Sequence, residues 1–169
     1  MGEKTRAEVI AQLTAAGQPF ELVPGQVFVR NCLLFKNAPG TLRTLFADAR
    51  SDAPFIVYDK ERMSFAETYA AAARVATVLV RDYGVERGDR VAISMRNYPE
   101  WILSFMAVTA IGGIAVAMNA LWRPDEMAFG LSDSGAKVLI ADQERLDRFA
   151  AIEQPLDIQV IAVRPEATE

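Results

Sequence analysis

The sequence predicts an α/β fold: a doubly wound, mostly parallel sheet flanked by helices, with a small β-rich segment at the amino terminus. Three observations carry it. Short apolar runs begin at Val91, Ile114, Lys137 and Ile158, so successive starts lie 23, 23 and 21 residues apart (114 − 91, 137 − 114, 158 − 137). That interval holds one strand and one crossover helix, which makes the four strands parallel and joined by right-handed crossovers. Between the runs stand helix-start signals, namely Pro99-Glu100, Pro124-Asp125-Glu126 and Asp142. Proline fits a first helical turn, and a carboxylate suits the positive end of the helix. Ahead of all this, residues 20–36 are rich in β-branched and aromatic side chains, the composition of strands.

Taken in order, residues 3–16 read as an amphipathic helix with Val9, Ile10, Leu13 and Ala16 on one side and Gly17 as its stop. The apolar face is small and suits docking on the domain better than lying in a membrane interface. Residues 20–36 suit two or three short strands broken at Pro24-Gly25 and at Arg30-Asn31. Residues 37–40 form a linker, and Thr41 caps a helix bearing Leu42, Leu45, Phe46 and Ala49. Residues 55–58 and 63–65 flank the charged turn 59–62 as a β-hairpin. Ser64 and Glu67 form a capping box, so a helix begins at Phe65 with Tyr69, Ala72, Ala76, Leu79 and Tyr83 on its stripe and Gly84 at its end.

The parallel unit follows. Residues 91–95 form a strand, and the helix opened by Pro99 continues through Ile102, Phe105, Met106 and Thr109. Gly112 and Gly113 stop it, and residues 114–118 are the next strand. A helix from Pro124 runs towards Gly135, residues 137–141 are a strand, Asp142 caps another helix, and residues 158–163 are the last strand. The expected division is an amino-terminal helix and short β extension over residues 1–40, then the α/β unit over 41–169.

The totals narrow the function. At 169 residues, 51% hydrophobic and 24% charged, the chain can bury one sizeable core. A net charge of −4 and a pI near 5.0 argue against nucleic acid, whose phosphates need clustered Lys and Arg. Cys32 is the single cysteine, so no internal disulfide forms; it is expected to be buried, and the usage fits a reducing cytoplasm. There is no histidine, which excludes Ser-His, Cys-His and His-ligated metal mechanisms. Residues 101–118 carry no charge, but Ser104, Thr109 and the paired glycines make them a buried helix feeding a strand rather than a membrane span. Glu8 and Gln12 interrupt the run that a signal peptide would need, and the expected location is cytoplasmic.

A doubly wound sheet invites a nucleotide, yet no G-x-G-x-x-G follows any strand and no G-x-x-x-x-G-K-[ST] is present. Gly112-Gly113 precedes a strand, the wrong side for a phosphate cradle. Ligands of open α/β sheets sit beyond the carboxyl ends of the strands. Arg96, Asn97, Asn119, Asp142 and Arg164 are the polar residues expected there, with Asn97 and Asn119 the candidate cofactor contacts. Asn97 and Asp142 also suit helix capping, and Asn119 a turn. Asp125 and Glu126 are explained by their first-turn position. Trp101, Trp122 and the methionines suit the core. No catalytic residue and no metal-ligand set emerges.

Several runs together resemble the amino-terminal part of adenylate-forming acyl-CoA synthetases: YGVERGDRVAISMRNYPEW over residues 83–101, GGIAVAMN over 112–119 and LSDSGAKVLIAD over 131–142. The helix over residues 41–51 and MSFAE over 63–67 resemble that family's opening, and the likeness extends over residues 38–150 in order and spacing. Residues 1–40 are similar to an extension in bacterial fatty-acid CoA ligase relatives. The resemblance implies an enzyme that uses ATP and magnesium to join a carboxylic acid, of the fatty class, to AMP and then passes the acyl group to CoA. The family's Ser/Thr/Gly-rich phosphate loop ending Pro-Lys-Gly, its later adenine, ribose and magnesium motifs and its carboxy-terminal lysine are not in this sequence. The expectation is therefore a fragment, inactive alone, with no cofactor of its own. Ala117 and the Leu121-Trp122 pair depart from the residues common in relatives; these are packing changes near the sheet edge that leave the resemblance intact and support no reading of acyl-chain length. The alternatives are a stand-alone module binding CoA or an acyl group, and an interaction domain that forms homo-oligomers through exposed apolar surface.

Overall fold

Two antiparallel hairpins precede a four-stranded parallel sheet in the computed structural model, which describes residues 3–166. The chain divides into two compact units, residues 1–40 and 41–169.

In the first unit, α1 (Arg6–Leu13) begins at a Thr5 capping box: Glu8 N–H donates to Thr5 Oγ1 at 3.3 Å, and Thr5 N–H donates to Glu8 Oε2 at 2.8 Å. Strands β1 (Leu22–Val27) and β2 (Arg30–Phe35) pair from Leu22↔Phe35 to Val27↔Arg30. The expected breaks at Pro24-Gly25 and Arg30-Asn31 are thus corrected. The chain turns at Phe28-Val29, with Phe28 at φ 52, and Pro24-Gly25 runs inside β1. A two-stranded ribbon offers proline an edge position, where its missing N–H costs no ladder bond.

Cys32 is exposed on β2, contrary to the expectation of burial, because a two-stranded ribbon has no second layer to cover it. Val9, Ile10 and Leu13 are also exposed. Among the described residues of this unit, Glu21 alone is buried. It accepts the Gly17 N–H at 2.9 Å and pairs with Lys36 at 3.0 Å, contacts that hold its carboxylate below the ordinary range.

The second unit opens with α2 (Leu42–Asp48), capped by Thr41, whose Oγ1 accepts the Thr44 N–H at 3.0 Å. Strands β3 (Pro54–Tyr58) and β4 (Glu61–Ser64) form the expected hairpin with a shorter turn: Asp59 and Lys60 suffice, Asp59 taking φ 47, and Tyr58 pairs with Glu61. Helix α3 (Phe65–Arg81) starts as predicted at Ser64, which accepts the Glu67 N–H while Glu67 accepts the Ser64 N–H. Thr68, Ala71, Ala72, Ala76 and Leu79 are its buried residues.

The parallel sheet contains β5 (Arg90–Ser94), β6 (Ile114–Ala117), β7 (Ala136–Asp142) and β8 (Gln159–Val163), in the order β6-β5-β7-β8. Helices α4 (Pro99–Ala110), α5 (Pro124–Ser134) and α6 (Gln143–Ala150) connect them. Val91 pairs with Ala115 on one side and Val138 on the other, so β5 and β7 are central.

Their continuous apolar runs are explained by two cores. Val91, Ile93, Val138 and Ile140 pack with α3 and α4 through Leu79, Ala107 and Val108. Ala92, Leu139 and Ala141 pack on the other side with Met127 and Leu131 of α5 and with Leu146 and Phe149 of α6. Residues alternating along one strand feed opposite layers, which is what doubly wound requires. Gly113 sits where the chain enters β6; a Cβ there would meet Val108 Cγ1 at 3.0 Å and Val108 O at 3.1 Å. Among the described residues, no helix is long and apolar enough to cross a membrane.

Candidate functional site

The switch point of the sheet lies between β5 and β7. The connection leaving β5 goes to β6 on one flank, whereas that leaving β7 goes to β8 on the other. Adjacent strands whose connections diverge leave a crevice at their carboxyl ends. A pocket of about 660 Å³ occupies that place, lined by Tyr58, Met95, Arg96, Asn97, Tyr98, Leu121 and their neighbours Ala120 and Arg145.

Asp142, the last residue of β7, organises the crevice. It is 4% exposed, and its carboxylate accepts the Arg96 N–H at 2.9 Å and the Arg145 N–H at 3.2 Å. The Arg145 Nη1 also donates to Asp142 Oδ2 at 3.3 Å and to Glu144 Oε2 at 2.7 Å. Arg145 is itself 2% exposed, so the pair is buried and each partner compensates the other's desolvation. Arg145 Nε further donates to Ala120 O at 2.9 Å, and Arg148 Nη1 donates to Ala120 O at 2.7 Å and Trp122 O at 3.1 Å. Two arginines of α6 thus pin the loop after β6 against the carboxyl edge.

Glu144 gathers three guanidinium groups, from Arg96 at 3.2 Å, Arg145 at 2.7 Å and Arg148. The hydrogen bond from Arg96, then the charges of Arg145, Arg148 and Arg96, hold its carboxyl below the ordinary value of 4.5.

The aromatic side of the crevice is fixed from β8. Arg164, at φ 48, lies over the rings of Tyr58 and Tyr98 at 5.3 and 5.1 Å. Its Nε donates to Glu100 Oε1 and its Nη2 to Glu61 Oε1, each at 2.9 Å, and these bonds raise its pKa further. Tyr58 and Tyr98 meet edge to face at 5.8 Å.

The five residues expected at the strand ends divide into three groups. Arg96, Asn97 and Asp142 come together at the crevice, Arg96 and Asn97 in its lining and Asp142 beneath it. Asn119 shapes the bordering loop, its Oδ1 accepting the Leu121 N–H at 2.9 Å in an Asx turn. Arg164 is engaged with carboxylates and rings. Asn97 does not cap α4, as one reading of it held; Tyr98 is the N-cap, and the exposed Asn97 carboxamide has no hydrogen-bond partner among the described residues.

Sequence reasoning missed Arg145, Arg148 and Glu144. Their signal was present, since an acidic helix cap followed by Arg at i+3, and Glu followed by Arg at i+4, places opposite charges on one helical face.

Among the described residues no group of three or more His, Cys, Asp or Glu side chains could hold a metal ion. The carboxylates at this edge are already engaged by arginines, so they do not fit a magnesium donor set. The arrangement presents hydrogen-bonding and aromatic surface on a rigid frame.

The model of the AMP-binding enzyme family matches residues 45–168. Among curated relatives, the long-chain-fatty-acid–CoA ligase FadD13 of Mycobacterium tuberculosis is 42% identical over 79 residues, which are 47% of this chain and 16% of that protein. The medium/long-chain-fatty-acid–CoA ligase FadD6 of the same organism is 31% identical over 143 residues, 80% of this chain and 24% of that protein. Among solved structures, the N-terminal domain of FACL13 from Mycobacterium tuberculosis superposes with a TM-score of 0.65 at 30% identity, covering 72% of this chain and 32% of that one. The chain thus spans about a quarter or less of the length of the curated relatives it matches. With that family's pattern running from α2 to the end of the parallel sheet, the chain belongs to the AMP-binding enzyme family.

Proposed function

We propose that this chain is the amino-terminal part of an acid–CoA ligase, in which a carboxylic acid of the fatty class is activated with ATP to an acyl-AMP and then transferred to CoA. The observation that carries the reading is the family match over residues 45–168, joined to a likeness to two fatty-acid CoA ligases. The chain's own role is to frame the reaction. Phosphoryl chemistry needs positioned cations and a backbone cradle, and the charged groups at this carboxyl edge are committed to one another. The 169 residues alone are accordingly inactive, and ATP, magnesium and CoA belong to the longer enzyme together with its acid substrate. Asn97, and Asn119 through its remaining carboxamide N–H groups, are the contacts this part offers a ligand. Residues 1–40 serve as an amino-terminal extension of the framework of 41–169, and the cytoplasm is the proposed compartment.

The test is ATP–pyrophosphate exchange by the product of the complete reading frame, with fatty acids of graded length. Acid-dependent exchange, with a Ser/Thr/Gly-rich loop ending Pro-Lys-Gly encoded beyond Glu169, supports the reading. A reading frame that encodes no such loop, or a product without exchange, sinks it.

The crevice favours a second reading, a module that binds CoA or an acyl-adenylate by itself, because its volume lies within the range of about 300–1,000 Å³ usual for small-molecule sites. Calorimetric titration with CoA, ATP and an acyl-AMP analogue separates the two readings, since silence in all three removes the second.

A further inference from the structure

The β3–β4 hairpin and the parallel sheet are separate sheets, and one side chain fastens the first to the carboxyl edge of the second. Arg164 directly follows β8 and reaches both. Its Nε donates to Glu100 Oε1 in the first turn of α4 at 2.9 Å, and its Nη2 donates to both carboxylate oxygens of Glu61 in β4, at 2.9 and 3.1 Å. Among the described residues no other hydrogen bond joins the hairpin to that edge. The guanidinium also lies 5.3 Å from the centroid of the Tyr58 ring and 5.1 Å from that of Tyr98. Both rings line the crevice, and Arg164 does not. Its backbone stands at φ 48, a left-handed conformation that a residue other than glycine keeps only where its surroundings hold it there.

We propose that Arg164 is a positioning residue for the ligase reaction: it holds Tyr58 and Tyr98 as one wall of the crevice and acts on a bound ligand only through those rings. The assignment rests on the ligase reading and on the crevice being part of its ligand site. Charge argues against direct contact with an anionic ligand, since this one cation already faces the two carboxylates of Glu61 and Glu100. Glu100 Oε2 is buried with no hydrogen-bond partner among the described residues, so Arg164 is that carboxylate's only donor. The residue type matters as well. A planar guanidinium can direct its N–H groups at two carboxylates while its face lies on aromatic rings. A lysine ammonium keeps the charge but has no plane to lay on them. Tyr58 ends β3 and Tyr98 precedes α4, and their rings meet edge to face at 5.8 Å. Two elements distant in the chain are thus set at a fixed angle by a third.

The test is steady-state ATP–pyrophosphate exchange by the product of the complete reading frame, with the fatty acid that gives the fastest exchange. Arg164→Lys is expected to raise the KM of the acid or of ATP roughly three- to tenfold and to leave kcat within about twofold, the pattern of lost uniform binding. In a chain already carrying Tyr58→Leu and Tyr98→Leu, the same substitution is expected to add less than about a 1.5-fold change, because the rings it works through are gone. Glu61→Gln keeps the guanidinium and both rings and weakens only the anchor. It is expected to move KM the same way by about two- to threefold, and it decides the matter where Arg164→Lys does not fold. In the 169-residue chain, Arg164→Lys is expected to shift the ring-proton signals of Tyr58 and Tyr98 and to leave those of Tyr69 and Tyr83 in place. An active parent whose folded Arg164→Lys variant keeps its KM values, a full effect in the chain without the two rings, or ring signals that stay in place overturns this assignment alone. A fall in kcat at unchanged KM overturns it too, since Arg164 would then act on the reacting atoms. A parent product without exchange overturns the ligase reading, and the assignment falls with it.

Discussion

The carboxylate of Asp142 accepts the backbone N–H of Arg96 at 2.9 Å, joining residues 46 positions apart in the chain. The bond ties the end of β7 to the turn leaving β5, at the point where the sheet's connections diverge. The same carboxylate caps α6 and pairs with buried Arg145, so one side chain sets the floor of the crevice.

Asp142→Ala should therefore lower unfolding stability by about 3–5 kcal/mol, because buried Arg145 keeps only the exposed Glu144 as a counter-charge and the Arg96 and Arg145 N–H groups lose their acceptor. Urea denaturation reads this directly. Replacing Arg145 by Met in the same chain should recover part of the loss, since the under-compensated buried charge is then gone. A loss under about 1 kcal/mol for the single variant would mean that the pair behaves as an exposed one.

Gly113→Ala should cost about 1–3 kcal/mol, because the new methyl meets Val108 Cγ1 at 3.0 Å and Val108 O at 3.1 Å and the strand entry must shift. Gly40→Ala is the control, with nothing within 4 Å of the added atom and an expected change within about 0.5 kcal/mol. Equal thermal midpoints for the two variants would remove close packing as the reason for glycine at 113.

Acid should weaken the fold in part through Glu144, whose carboxyl the hydrogen bond from Arg96 and the neighbouring arginines hold below 4.5 in the folded state. A depressed carboxylate pKa means that the unfolded chain takes up the proton first as pH falls. The contribution of Glu144 is complete above about 4.5 and is lost as pH drops through the lower folded value. Glu144→Gln should flatten the stability profile in that acid window and leave its slope near neutrality unchanged. An acid limb as steep as the parent's would assign the effect to other carboxylates, such as Asp89, which the Glu86 N–H and then Lys137 hold below 3.8.

Much of the frame was legible because it rests on local signals. Ser64 with Glu67, Thr41, Asp142, and Pro99 and Pro124 at helix starts each act within a few residues, and each lies where the sequence placed it. The parallel sheet was legible from interval and composition together. What escaped depended on partners distant in the chain. Nothing near Arg145 announces that Ala120 O will accept from it, and Arg164 finds Glu61 and Glu100 only after β8 has docked. Pro24-Gly25 misled because a ribbon edge tolerates proline that a central strand would not. Cys32 misled because cysteine's preference for the interior presumes a second layer.

The most direct measurement is ATP–pyrophosphate exchange by the purified 169-residue chain with a panel of fatty acids. A framework whose charged carboxyl-edge groups are engaged with one another should give no exchange above the protein-free blank at any chain length. Acid-dependent incorporation of labelled pyrophosphate into ATP would contradict it, and would place catalytic groups within residues here assigned to structure.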